Sequence, residues 1–429
     1  MQWEALARAR QLDDAEALFG SAFSLLLTSP PHHWGEHLRL AEEAAGWPRQ
    51  AVSTQTLGLV LEFAGAFQLA AGERSRAEEL WREVEELAER THVVSVKLMV
   101  SRLDVILAIV DGHLEDALVQ LRRYVERADE LGLSLRGHML RLQMLFSLAR
   151  YLGRAETWLP AFDEFVRMGG FRSARTAAPR AATCLADLGR LEEARALVAP
   201  MLDEIAASSG DDETLLGLVN LLEAAIAVGH RHAASVLMAR LDCVAHLSIG
   251  PAFQTCVGRH LGDAAVLVGD RTAARAYYAQ ALEAAGKIRF RPELALTHLR
   301  LAELLQEDEV ERSEALEHLN LALPELRDMK MQPALERALA LSDRYQAPPV
   351  QMSARSPSSA TLTAREREIA SLIADGLSNQ EIAERLVITE GTVEVHVKHI
   401  LSKLGYRSRS LVAGWIAHHQ SEGLDGHRA

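Results

Sequence analysis

Cysteine is scarce in this sequence. Its 429 residues hold only Cys184, Cys243 and Cys256. An odd, sparse set makes no disulfide framework, and a reducing cytoplasm is the natural compartment. Aromatics reach only 5%, and β-branched residues almost never alternate at period two, which excludes a sheet as the main architecture. No apolar run approaches the roughly 18 residues that cross a bilayer. The N-terminal stretch MQWEALARARQLDDAEALFG shows neither basic-then-apolar order nor a cleavage site, so neither a membrane partner nor a leader is expected. Positive charge is in deficit as well, with 46 Lys and Arg against 59 Asp and Glu, net −13. That field opposes general polyanion binding, so any nucleic-acid contact must be local, helped by dimerisation, or regulated.

Catalytic signatures are missing too. The one Gly-Lys pair, Gly286-Lys287, has Ala281 where a phosphate loop needs glycine and Ile288 where it needs Ser or Thr. No phospho-acceptor domain is legible, and no nucleophile, base and acid can be singled out. The expectation is no enzyme, no catalytic residue and no cofactor. The spacings CVAH (Cys243, His246) and CVGRH (Cys256, His260) put each pair on one helix face, a set zinc accepts. Both types are also ordinary interior residues of Ala-rich helices, and no metal is expected. PPHHWGEH, around Trp34, is expected to be a turn between helices.

What the sequence has in abundance is helix formers: Ala, Leu, Glu and Arg, within a hydrophobic fraction of 48%. An all-α fold follows. Over residues 1–345 the glycines keep a ruler. Gly72, Gly112, Gly153, Gly189, Gly229 and Gly269 are spaced 40, 41, 36, 40 and 40 apart. Five residues after each stands Ala77, Ala117, Trp158, Ala194, Ala234 or Ala274. A further copy keeps the frame from Val310 to Ala315 without the glycine, and a degenerate one precedes them at residues 34–44. An apolar helix runs up to each glycine and an amphipathic one leaves it. The glycine is expected to close the first helix in a left-handed cap, and the small residue to let the second approach closely. No such hairpin buries both faces alone, so copies must stack as a solenoid.

This pattern resembles tetratricopeptide repeats, in the longer form of the sensor superhelix of MalT-like regulators. ARAYYAQALEAAG (274–286) is the nearest match, and Trp158 departs where a small residue is usual. HEAT-like packing is the structural alternative. MQPALERALALSDRY (331–345) reads as a capping helix, and QAPPVQMSARSPSSA (346–360), with prolines, serines and no period, as a flexible linker.

Residues 361–420 form a second module, with 421–429 as a disordered tail. Thr363 with Glu366, and Ser378 with Glu381, are capping boxes that each open a helix. Thr389 caps a third helix running to Leu404, and a fourth follows Ser408. A short helix, a three-residue turn and a longer helix is the helix-turn-helix layout. The string L-T-x-R-E-x-E-x-x-x-L-I-A-x-G-x-S-N-x-E-I-A-x-x-L-x-I-T-x-x-T-V-x-x-H-x-x-x-I-x-x-K-L, from Leu362, resembles the LuxR-type (NarL/FixJ-type) DNA-binding domain over roughly 55 residues.

Periodicity alone orients the third helix. Val393, His396, Val397, Ile400, Leu401 and Leu404 make its core stripe, and Gly391, Glu394, Val395, Lys398 and Ser402 lie opposite. The resemblance implies base contacts from Glu394, Val395 and Lys398. Lys398 suits guanine or a phosphate, Val395 a thymine methyl, and Glu394 a cytosine amino group. Glu394 can instead pair with Lys398 at i,i+4 and hold it in place. Thr392, Lys403, Arg407 and Arg409, with Ser378 and Asn379 at a helix start, are phosphate-contact candidates. The resemblance also implies dimerisation through Leu411, Val412 and Trp415 of the fourth helix, and hence an inverted-repeat operator in double-stranded DNA.

The expected whole is a cytoplasmic, all-α, homodimeric regulator: a tetratricopeptide-like superhelix that binds a signal (small molecule, peptide or protein), followed by a four-helix LuxR-type module. The competing class is an interaction scaffold whose C-terminal module recruits or sequesters another regulator.

Overall fold

The computed structural model describes residues 2–12, 14–169, 174–207, 213–248, 255–306, 311–346, 362–374, 377–386 and 388–404. Every regular element among them is helical. Packing divides the chain into two units, Met1–Gln346 and Ala347–Ala429. The expected linker lies outside the described residues except for Gln346, as do the expected fourth helix and the tail.

The first unit opens with α1 (Gln2–Leu12), α2 (Ala15–Leu27) and α3 (Trp34–Ala45), with a 3-10 turn at Pro31–His33 before α3. Hairpins follow: α4 and α5 (Thr54–Ala70, Arg74–Thr91), α6 and α7 (Val94–Val110, Leu114–Glu130), α8 and α9 (Ser134–Tyr151, Trp158–Arg167). Then come α10 and α11 (Ala174–Asp187, Leu191–Ala207), α12 and α13 (Leu215–Val228, Arg231–Leu241), and α14 and α15 (Val257–Val268, Arg271–Ile288). α16 and α17 (Arg291–Leu305, Arg312–Asp328) and the single α18 (Gln332–Gln346) end the unit.

The glycine ruler is a ruler of helix caps. All six glycines have φ between +72° and +96°. The following residue sends its N–H to the carbonyl five back, from Glu73 to Gln68 (2.9 Å), His113 to Ala108 (2.8 Å) and His230 to Ala225 (2.8 Å), and likewise from Arg154, Arg190 and Asp270. This six-to-one bond satisfies a carbonyl that the helix end would orphan, and the left-handed residue it needs favours glycine. The residues five later are the tightest points of the hairpins: Ala77, Ala117, Ala194, Ala234, Ala274 and Ala315 are wholly buried. Val310, the glycine-free frame position, lies outside the described residues. Trp158 is buried as well. A 3-10 turn at Ala155–Thr157 precedes its helix, and its indole N–H donates to the Leu142 carbonyl (3.0 Å).

Successive hairpins are stapled at the repeat period. Arg231, Arg271 and Arg312 donate to the carbonyls of Val268, Leu304 and Tyr345, each near the C-terminal end of the first helix of the next copy. A cation there meets the negative end of the helix dipole. The array also coils back on itself. Arg74 reaches the Ile288 carbonyl (2.9 Å), Arg291 the Asp111 carbonyl (3.2 Å), α6 touches α16, and α8 touches α18.

Inside this coil the first helices of the hairpins carry charge. Arg259 donates to both oxygens of Glu293 (2.6 and 3.0 Å) and to Asp263 (3.2 Å). Glu293 also accepts from the Tyr151 hydroxyl (2.6 Å) and the Cys256 N–H (3.1 Å). Asp263 accepts from Tyr278 (2.7 Å) and pairs with Arg300 (3.0 Å). Glu223 pairs with His260 (2.8 Å) and Arg150 (3.4 Å). Burial alone would raise these carboxylates; the charges of Arg259, Arg300, His260 and Arg150 overcome it and hold Glu293, Asp263 and Glu223 low, Glu223 at about 2. His260 and Cys256 are thus partners in an ionic and backbone network, with the Cys256 thiol directed at the carbonyls of Leu247 and Ala281.

Two glycines inside first helices mark close approaches. A Cβ on Gly65 would overlap the Trp81 ring, and one on Gly262 the Tyr278 ring. Tyr278 is fixed by its bond to Asp263, so it has little room to yield. Gly262→Ala is expected to cost about 1–3 kcal/mol, the usual range for overpacking. Gly286→Ala, where a Cβ meets nothing within 4 Å, is expected to be neutral or to stabilise by under about 1 kcal/mol. Urea denaturation of the two variants separates these outcomes.

Candidate nucleic-acid interface

In the second unit three helices are described: α19 (Ala364–Ala374), α20 (Asn379–Leu386) and α21 (Glu390–Leu404). Their caps are the ones the sequence spells. The Thr363 N–H donates to Glu366 (2.8 Å) and the Glu366 N–H back to the Thr363 hydroxyl (3.3 Å). Ser378 and Glu381 repeat the exchange at 2.7 and 3.3 Å. The Thr392 N–H donates to the Thr389 hydroxyl (3.3 Å), which opens α21. Reciprocal bonds of this kind satisfy the unpaired N–H groups that define a helix start. They fix where α19, α20 and α21 begin.

A small core holds the three helices together. Leu362, Ile369, Ala370, Ile373, Ile382, Ala383, Val393 and Ile400 are buried in it, and Val397 and Leu401 pack against its edge. His396 is half-buried. The core stripe of α21 is therefore the one its periodicity assigns, as far as the described side chains extend.

The opposite face of α21 is open. Gly391, Thr392, Glu394, Val395 and Lys398 are all exposed. Val395 leaves 51% of its surface to water. The i,i+4 ion pair that the Glu394–Lys398 spacing permits is not formed: among the described residues neither side chain has a hydrogen-bond or ion-pair partner. Lys398 is a free donor and Glu394 a free acceptor on one surface.

The flanking candidates differ in availability. The Ser378 hydroxyl is committed to its own cap, donating to Glu381 (2.8 Å), and the Thr392 hydroxyl lies 2.8 Å from that of Thr389. The Ser378 backbone N–H is the first bond that holds the Glu381 carboxylate below its ordinary range. Asn379 is half-buried at the start of α20. Ser402 and Lys403 lie in the last turn of α21, and their side chains are outside the described residues, as are Arg407, Arg409, Leu411, Val412 and Trp415 altogether. Two arginines not assigned from sequence have structural roles. Arg365 donates to the Leu386 carbonyl that ends α20 (3.2 Å), and Arg367 to the Leu362 carbonyl (3.1 Å). Both stand in the first turn of α19, where a basic residue opposes the helix dipole, and that misfit is a sequence sign that they have a structural partner.

Comparison with known proteins agrees with this geometry. The family described as bacterial regulatory proteins, luxR family, matches residues 360–415. The nitrate/nitrite response regulator protein NarL of Escherichia coli K12 is 58% identical over 55 residues, which are 13% of this chain and 26% of that protein. The transcriptional regulatory protein LnrK of Bacillus subtilis is 54% identical over 52 residues, 12% of this chain and 24% of that protein. The oxygen regulatory protein NreC of Staphylococcus aureus is 52% identical over 48 residues, 11% of this chain and 22% of that protein. The chain thus spans about a quarter of the length of these relatives. Among the described residues no helix is long and apolar enough to cross a membrane. Over residues 360–415 this chain carries a helix-turn-helix domain of the luxR family of regulatory proteins.

Proposed function

We propose that this chain is a sequence-specific, DNA-binding transcriptional regulator of the cytoplasm, whose tetratricopeptide-like repeat unit binds a signal that controls dimerisation or DNA binding by the C-terminal module. The observation that carries the reading is the open face of α21. It offers an unpaired cation, an unpaired acid and an exposed apolar residue side by side, a set matched to base edges in a major groove. Lys398 would read guanine or a phosphate, Val395 a thymine methyl and Glu394 a cytosine amino group. Gly391, Thr392, Asn379, Ser402, Lys403, Arg407 and Arg409 would position the backbone, with Ser378 contributing through the helix start rather than its hydroxyl. Leu411, Val412 and Trp415 would pair two copies, so that the operator is an inverted repeat.

The net charge of −13 bears on the strength of this binding. An acidic chain gains little non-specific attraction to phosphates, so selectivity must come from few contacts and from pairing. Selection of a randomised duplex library by the full chain, at about 50 and 200 mM salt, tests the reading. Enrichment of an inverted repeat, weakening with salt, is the expected result. Recovery of no sequence above background at either salt would leave the scaffold reading, in which the module recruits another protein.

A further inference from the structure

The first unit holds a partly open cavity of about 260 Å3. Its wall is built from α8, α10, α12, α14, α16 and α18, the first helices of successive copies plus the terminal helix. Drug-sized ligands occupy pockets of about 300–1,000 Å3, so this volume suits a small metabolite and not a peptide.

Its lining is basic in an acidic protein. Arg150, Arg259, Arg300 and Arg337 face it, against Asp187 and Glu223. Most of these charges are answered in place. Arg150 has Asp187 (2.7 Å) and Glu223, Arg259 has Glu293 and Asp263, and Arg300 has Asp263 and Glu303 (2.9 Å). Arg337 is the exception. Among the described residues its one ion-pair partner is Glu303, at 3.3 Å, and Arg300 already holds that carboxylate. Its side chain is 42% accessible, and it lines the cavity. Burial lowers its pKa first and the charge of Arg300 lowers it further, against the opposing pull of Glu303 and Asp263. Like charges held together in a partly desolvated space cost free energy, which among the described residues Glu303 and Asp263 offset only in part.

We propose that this cavity binds a small organic anion, a polycarboxylate or a phosphate ester, with Arg337 as its principal contact and Arg300 and Arg150 beside it. The inference rests on the reading of the repeat unit as the signal-binding part, and it names the class of signal. An anion here relieves the repulsion at Arg337. It also ties α18, through Arg337, to α8, through Arg150. α18 ends at Gln346, where the first unit ends, so the ligand acts on the helix nearest the C-terminal module in sequence. A ligand that favours the closed turn shifts the population toward it by its differential affinity.

Thermal unfolding of the full chain without DNA tests this, at constant ionic strength, with citrate and glycerol 3-phosphate as probes and sodium chloride as the reference. A saturable rise in Tm of several degrees with at least one probe is expected. Citrate alone marks a carboxylate ligand, and glycerol 3-phosphate alone a phosphate ester. Arg337→Gln is expected to leave the ligand-free Tm unchanged or higher and to weaken the probe at least about tenfold. No rise above the chloride reference with either probe overturns the proposal. So does an equal affinity in Arg337→Gln, or a fall in its ligand-free Tm with the response retained, which marks a structural arginine. DNA is absent from the assay, so its failure leaves the DNA-binding reading standing, and failure of DNA selection leaves this one.

Discussion

Replacing Glu293 with alanine is expected to lower the stability of the chain by about 3–5 kcal/mol, a large share of what a folded domain holds. The carboxylate is wholly buried and accepts from Arg259 through two bonds, from Tyr151 and from the Cys256 N–H. Deleting it leaves the Arg259 guanidinium, itself 9% exposed, with Asp263 at 3.2 Å as its one carboxylate among the described residues, beside the neutral Thr255 hydroxyl at 2.9 Å, and takes an acceptor from the buried Cys256 N–H. The loss is the cost of stranded charge and stranded donors, and not the net worth of the pair. That distinction is itself measurable. The double variant Arg259→Met, Glu293→Leu removes both charges, and it is expected to recover much of the loss. Urea denaturation of both single variants and the double variant gives the coupling. A cost below about 1 kcal/mol for Glu293→Ala would show that the network is not holding the coil shut.

Acid probes the same network. Glu293, Asp263 and Glu223 are all held below their ordinary values, so the folded chain releases these protons more readily than the unfolded one. Their contribution is fully present above about pH 4.5 and is lost as the pH falls through the folded values, about 2 for Glu223. Glu293→Ala is expected to flatten that part of the pH–stability curve.

The parts of this architecture that were legible in the sequence are those set by local chemistry. A glycine cap, a small residue five later, and a Ser or Thr exchanging bonds with a Glu three on are each complete within about six residues. They located the hairpins and the starts of α19, α20 and α21. The core stripe of α21 is likewise one helix's own periodicity, anchored at Val393 and Ile400. The ionic interior is different in kind. Tyr151 lies 142 residues before Glu293, and Arg150 lies 73 before Glu223. Their pairing depends on how tightly the array coils, which no single hairpin encodes. A hint was present: Glu223 and Asn220 interrupt LLGLVNLLEAAIAV, and Arg259, His260 and Asp263 stand in VGRHLGDAAVLV, helices otherwise apolar or small. A lone charge on a helix with no polar face has to be answered from elsewhere. The attention that Cys256 and His260 drew as metal ligands belonged to this network. The absent Glu394–Lys398 pair is the converse case. Spacing makes that contact available, but the exposed pair is worth only a few tenths of a kcal/mol, too little to hold two long side chains together.

The second large effect is expected at that open face. Lys398→Ala removes the one free cation among the described residues of that face, and it is expected to cost about 1–3 kcal/mol per protomer in binding to the selected site, roughly 5- to 150-fold, while binding to unrelated duplex changes little. Glu394→Lys works in the opposite direction on a different quantity. It exchanges a negative charge for a positive one on each protomer, so it raises affinity for any duplex. It also steepens the dependence of log affinity on log salt by about 0.9 for each phosphate newly met. The specificity ratio falls because the gain is shared by all sequences, and the cytosine amino group, if Glu394 reads it, loses its acceptor. Fluorescence anisotropy on the selected and a scrambled duplex, across a salt series, reads both variants at once. A Lys398→Ala protein that keeps its ratio of specific to scrambled binding would remove that residue from base readout. A Glu394→Lys protein with unchanged ratio and unchanged slope would show that this face of α21 does not meet DNA. The remaining combination, a steeper slope with the ratio intact, would place Glu394 over the phosphates and leave Val395 and Lys398 as the residues that select.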